Sequence, residues 1–273
     1  KWKGKLTREV NFMKSEMKNN LNGMFWEPAG LNFKIPHAGN TKNAIYVFQK
    51  NIVPITWNCM TTLERNPTTL PQTETILKGQ SVSGISIDQL MQVKNYGDGA
   101  KKLVELLSNG TFALNEKTAS ALHQYVAKED ALTWGTFRNS DIAIRGVGYI
   151  PPNYTQLSKI AEKGFSFLSS KVEVKEAAIA TFLFMSRSQF FHDANKRTSS
   201  LMMNGSLIKH GYYPITVMNR DSEEFHNKLT DFYNSGDATS MMKFFEKTVE
   251  KIYQFQEKEK NHKEIKSKND LER

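Results

Sequence analysis

Residues 188–201 read Ser188-Gln-Phe-Phe-His-Asp-Ala-Asn-Lys-Arg-Thr-Ser-Ser-Leu201. Upstream, Ala177-Ala-Ile-Ala-Thr-Phe-Leu-Phe-Met185 is nearly apolar on every side, which predicts a helix buried within a core. Downstream, residues 198–210 carry the pattern of another helix, stopped by Gly211. The short polar loop between them ends at a helix N-terminus, where unpaired backbone N–H groups make a ready site for phosphate. Lys196 and Arg197 add positive charge at that corner, and Arg suits bidentate phosphate contacts. Asp193 offers a hard oxygen suited to Mg²⁺ shared with phosphates, and Asn195 a neutral amide donor. Together these residues read as a nucleotide-phosphate cradle. They also fit an ordinary helix–loop–helix, with Asp193 as a cap, Asn195 in the turn and both cations in solvent.

Outward from this segment, the pattern is helical almost throughout. Residues 1–40 begin helix-like, then pass through Pro28, Gly30, Pro36 and Gly39 as a loop. Residues 44–63 read as mostly helical, and Thr69 before Pro71 marks a helix start. Residues 88–107 form one helix with an apolar face that includes Leu90, Val93, Leu103 and Leu107, ended by Asn109-Gly110. Further helices are expected over 115–127, 154–169 and 171–188, with two more between 222 and 253 broken near Ser235-Gly236-Asp237. The one hairpin signal is Asp141-Ile-Ala-Ile-Arg-Gly-Val-Gly-Tyr-Ile-Pro-Pro152, with alternation, glycines and two closing prolines. No solenoid repeat is visible.

The whole chain bounds the function. Its 273 residues, 39% of them hydrophobic, suffice for a buried core. The single cysteine, Cys59, rules out an intrachain disulfide framework and fits a reducing, cytoplasmic setting; its apolar neighbours predict a core residue rather than a nucleophile. No apolar run is long enough to span a membrane. The net charge of +9 admits nucleic acid as a partner, but no recognition motif accompanies it, and the 247–268 run mixes both signs as a solvated helix does. A basic, nucleic-acid-associated helical protein is thus a minor alternative.

The 189–197 segment resembles the Fic/Doc signature His-x-Phe-x-(Asp/Glu)-(Gly/Ala)-Asn-(Gly/Lys)-Arg, with Phe191, Asp193, Ala194, Asn195, Lys196 and Arg197 in register. The Asn-Lys-Arg-Thr ending is closer to the Doc branch. Gly135-x-x-Arg138 with the hairpin behind it resembles the family's flap, here Ile142, Ala143, Ile144, Arg145 and Gly146, which lays a target segment beside the site. Similarity runs from about residue 57 to about residue 250. The resemblance implies a mostly α, Fic-type helical bundle with a small β-hairpin flap and an N-terminal helical extension. Its implied divisions are 1–110 for the extension, 111–250 for the core and 251–273 for a charged C-terminal helix or tail. It further implies transfer of AMP, or another phosphate-containing group, from ATP or a related nucleotide to a protein hydroxyl. Asp193 would hold Mg²⁺, Asn195 and Arg197 would grip phosphates, and the amides around Ala194 and Lys196 would form the anion hole. A protein target, a Fic-related partner, a homo-oligomer and a bacterial source are expected on the same ground.

Three departures stand out. Gln189 occupies the position of the family's general-base histidine, and Gln has no titratable group near neutral pH. Loss of such a base costs roughly 10²–10⁴ in rate. A nucleotide-binding pseudoenzyme, a transferase with another base (His192 is nearest in sequence) and an introduced inactivating change all fit. Ser200 stands where many members carry a second Arg for the outer phosphates. Glu64 sits where long members place an inhibitory glutamate, but Met60 replaces the hydroxyl residue and Arg65 the small one. Without a guanidinium at position 200, Glu64 is expected to lack its usual partner.

Overall fold

A computed structural model of the chain describes residues 2–253. Its centre is the pair α8 (Val174–Ser188) and α9 (Asn195–Lys209), packed side by side. Every α8 residue from Ala177 to Ser188 is buried, as the all-round apolar pattern predicts. Burying each of Phe182 and Phe184 contributes about 1.5–3 kcal/mol.

Around the pair lie α3 (Ile52–Glu64), α5 (Ile87–Ser108), α6 (Glu116–Val126) and α7 (Leu157–Lys171). The fit is close at Gly99 of α5. A Cβ there would come within 2.5 Å of Val126 Cγ2 and 3.0 Å of Leu201 Cδ1, so only glycine lets α5 approach both α6 and α9. The outer layer holds α1 (Trp2–Asn20), α2 (Thr41–Lys50), α4 (Leu70–Leu77), α10 (Ser222–Ser235) and the helical residues 239–253. The stretch between α1 and α2 wraps the bundle through two isolated bridges, Phe25 with Asp237 and His37 with Tyr212. Trp26, fully buried, donates its indole N–H to Glu176 of α8.

The mostly helical class holds, and several boundaries follow the sequence signals. Thr69 and Gln72 form a capping box at α4, and Ser86 and Gln89 form another at α5. The single stretch expected over 44–63 is instead two helices parted at Asn51, with Pro54 in the first turn of α3, where its missing N–H costs nothing. Helix α9 starts at Asn195 rather than at residue 198, so Asn195, Lys196 and Arg197 lie in its first turn.

The flap is a further correction. Residues 141–152 turn back at Arg145-Gly146 through a Val147 N–H to Ile144 O bond, but no strand ladder joins the two arms. The period-two pattern survives as burial, with Ile142 and Ile144 half-buried and Ala143 and Arg145 exposed. The arms are fastened to the bundle instead. Tyr149 lies under the Arg187 guanidinium, 3.8 Å from ring centroid to Cζ, and Gly148 N–H donates to Asn234 at 3.1 Å. Of the proposed C-terminal segment, residues 251–253 are helical and 254–273 lie outside the described residues.

Candidate functional site

The loop between α8 and α9 is held by left-handed backbone at both ends, Gln189 at φ 50° and Ala194 at φ 54°. Such geometry costs a non-glycine residue about 1–2 kcal/mol, so the surroundings must enforce it. Three fastenings do so. Phe190 and Phe191 are fully buried; Phe190 stacks on Phe137 at 4.8 Å, and Phe191 stacks on His123 at 3.7 Å with planes 7° apart. Asn195 accepts from Phe191 N–H at 2.9 Å and donates to Phe191 O at 2.8 Å and to Gln189 Oε1 at 3.0 Å. Arg138, buried at the root of the flap, donates to the carbonyls of Gln189 (2.7 Å), Ser140 (2.8 Å) and Pro152.

Gln189 therefore works as part of the scaffold. Its Nε2 donates to Ser186 O at 2.6 Å, capping the end of α8, while its Oε1 accepts from Asn195. Asn195 is likewise a brace: both amide hydrogens and its oxygen are engaged, which differs from the open phosphate donor expected. His192 turns to the flap, its Nε2 3.1 Å from Asn139 Oδ1.

Arg197 is 1% exposed and surrounded by carboxylates. Its Nη2 lies 2.7 Å from Asp130 and 3.6 Å from Asp193, its Nε lies 3.4 Å from Glu64, and its Nη1 donates to Val126 O at 3.3 Å. Burial pulls the guanidinium down, but Glu64, Asp130 and Asp193 outweigh it and hold Arg197 above its ordinary value. Lys196, 3.8 Å from Glu64, completes the cluster. Two cations face three carboxylates, so the corner is net negative. With no guanidinium at position 200, Glu64 pairs instead with Arg197 of the motif and approaches Lys196. Position 200 is no place for a second guanidinium. Ser200 is buried, 3.2 Å from the Tyr96 hydroxyl and 3.8 Å from Cys59. Burial pushes the Cys59 thiol up to about 12, so it is an inert core residue.

Ala194, the N-cap of α9, brings no side-chain cap to this helix. The Ala194 N–H is taken by Asp193 itself, whose carboxylate is largely exposed. Asp130 and His123 were not foreseen as site residues. No local pattern marks either; His123 lies on the buried face of an amphipathic helix and Asp130 in a turn after it.

Among the described residues no helix is long and apolar enough to cross a membrane. The Fic/DOC family model matches residues 113–207. Curated relatives include the protein adenylyltransferase Fic of Aedes aegypti, 29% identical over 69% of this chain and 38% of that protein, and that of Drosophila willistoni, 28% identical with the same coverage. This chain thus spans about two fifths of the length of those relatives. Among solved structures, Fic-1 from C. elegans superposes with a TM-score of 0.66 at 17% identity, covering 92% of this chain and 73% of that one. A Fic-domain signaling protein from Bacteroides thetaiotaomicron gives 0.63 at 16% identity, covering 88% and 92%. These two share the fold. Residues 113–207 thus match the Fic/DOC family model, and over 69% of its length the chain is similar to protein adenylyltransferases named Fic.

Proposed function

We propose that the chain binds ATP or a related nucleotide with Mg²⁺ at the 189–197 loop, transfers its AMP poorly or not at all, and acts as a regulator. Residues 1–110 would serve as a helical extension on the Fic core. The observation that carries this is Gln189. At the position of the general base stands an amide whose two ends hold Ser186 and Asn195 and which does not accept a proton near neutral pH. The adenylyltransferase names of its relatives support the nucleotide, and the uncapped N-terminus of α9 supports its phosphates.

Mg²⁺ would draw on the exposed Asp193 carboxylate with phosphate oxygens and water, since no cluster of three acidic, His or Cys ligands occurs among the described residues. Bound there, the ion would neutralise phosphate charge. Arg197 meets phosphate only once Glu64 or Asp130 releases it, which gives Glu64 an inhibitory role. The flap residues Ile142 to Gly146 lie outside any strand ladder, with a turn at Arg145-Gly146, and this leaves Ile142 to Ile144 free to pair with a segment of a protein target or of a Fic relative. A cytoplasmic, reducing setting suits the free Cys59.

The test compares labelled AMP transferred from Mg·ATP into cell lysate by the natural chain and by Gln189→His. Label from the variant alone fits a silenced transferase on an intact scaffold. Label from the natural chain at the variant's level overturns the proposal.

A further inference from the structure

His123 stands at the inner side of the phosphate loop, and its chemistry there is one-directional. The ring is fully buried in α6 and lies flat on Phe191. Gly135 donates its N–H to Nδ1 at 3.0 Å, which makes Nδ1 an acceptor and leaves the proton on Nε2. Nε2 then donates to the Asp193 carbonyl at 3.2 Å. One imidazole thus joins α6, the turn before the flap and the motif loop.

The peptide between Asp193 and Ala194 is planar and trans, so its C=O and N–H point in opposite directions. Holding the carbonyl from the buried side therefore turns the Ala194 N–H the other way. There it meets the largely exposed Asp193 carboxylate, on the side open to an incoming anion. We infer that His123 is a positioning residue of the phosphate loop, setting the Ala194 N–H toward a bound phosphate by its grip on the Asp193 carbonyl. This rests on the nucleotide-binding proposal above. His123 itself touches no ligand and moves no proton.

Two variants separate this role from plain packing. In His123→Gln the terminal amide still reaches the Asp193 carbonyl as a donor but abandons Gly135. In His123→Asn the shorter side chain still accepts from Gly135 but cannot reach Asp193. Both lose the stack on Phe191. Mg·ATP affinity is measured by calorimetry and the Ala194 amide by ¹⁵N NMR on the full chain. The Gln variant is expected within about threefold of the natural chain and the Asn variant weaker by about tenfold or more, the loss of one aligned donor to a charged group. The Ala194 amide resonance should move in the Asn variant and hold in the Gln variant. Equal losses in both, following their melting temperatures, would overturn the inference. Should neither variant fold, the natural chain decides it: an imidazole protonated on Nδ1 rather than Nε2 is fatal, and a hydrogen-bond coupling from Nε2–H to the Asp193 carbonyl is the expected result. Failure of the natural chain to bind Mg·ATP defeats the nucleotide proposal, while the Ala194 resonance in the two variants still decides the part played by His123.

Discussion

Glu64 Oε1 lies 3.4 Å from Arg197 Nε, an ion pair that ties the last residue of α3 to the first turn of α9. Arg197 is almost fully buried, and desolvated charges interact far more strongly than exposed ones. A phosphate seeking this guanidinium must therefore displace a carboxylate already in place. Glu64→Gln removes the competing charge while Asp130 and Asp193 keep Arg197 paired. Mg·ATP affinity should rise about tenfold, equivalent to about 1.4 kcal/mol. Calorimetry giving an unchanged affinity would show that Glu64 does not obstruct the site.

Gln189→His restores a group able to accept a proton at the end of α8. Rates of AMP transfer should rise by roughly 10²–10⁴ over the natural chain, the usual worth of a general base. The fold should survive, since an imidazole nitrogen can replace one of the two scaffold bonds Gln189 makes. Circular dichroism alongside the transfer assay separates lost folding from absent chemistry.

Acid should loosen the loop through His123. Burial lowers the ring from 6.5 to about 4, with the neighbouring Arg197 adding to the effect and the Asp193 carbonyl opposing it. A depressed histidine means the unfolded chain binds the proton more readily. Stability from this group is therefore complete above about pH 6.5 and lost as pH falls toward 4. The expected loss across that window is of order 3 kcal/mol. Melting curves at several pH values should show it, and His123→Gln should flatten the fall.

Arg138→Ala strips the carbonyls of Gln189, Ser140 and Pro152 of their donor in one step. The Ser140 carbonyl lies on an exposed residue and can turn to water, whereas those of Gln189 and Pro152 are partly shielded, so a loss of about 1–3 kcal/mol is expected in urea denaturation. Arg138→Lys should recover little, because a single ammonium cannot span three carbonyls from one position.

Arg65 closes α3 at φ 53°, in the left-handed region. The family pattern favours a small residue there, and the backbone supplies the reason: a side chain is strained where glycine is not. Arg65→Gly should stabilise the chain by about 0.5 kcal/mol, after the greater chain entropy of glycine is subtracted. Scanning calorimetry should record a rise of about 1–2 °C.

Much of the fold was legible because its signals are local. Periodicity, a helix start at Thr69 before Pro71, Gly110 after α5 and the all-round apolar run of α8 are each encoded within a turn or two of chain. The 189–197 motif was legible for the same reason: its residues are neighbours. The flap misled because alternation reports burial of one face, and Ile142 and Ile144 satisfy that against the bundle without any partner strand.

Much of what surrounds the motif belongs to the tertiary structure. The family pattern pointed to Glu64, but Asp130 and His123 carry no such mark, and nothing nearby in sequence says that α6 and the turn after it converge with α3 on α9. Their meeting depends on how helices pack, down to the missing Cβ of Gly99 that lets α5 close on Val126 and Leu201. The sequence by itself determined which residues the loop offers, including a glutamine where a base is expected. Only packing decided that Asn195 is spent as a brace, that Arg197 is held by carboxylates and that His123 grips the loop from within. Charge and hydrogen-bond partnership across the chain are set by distance in space, which no local pattern carries.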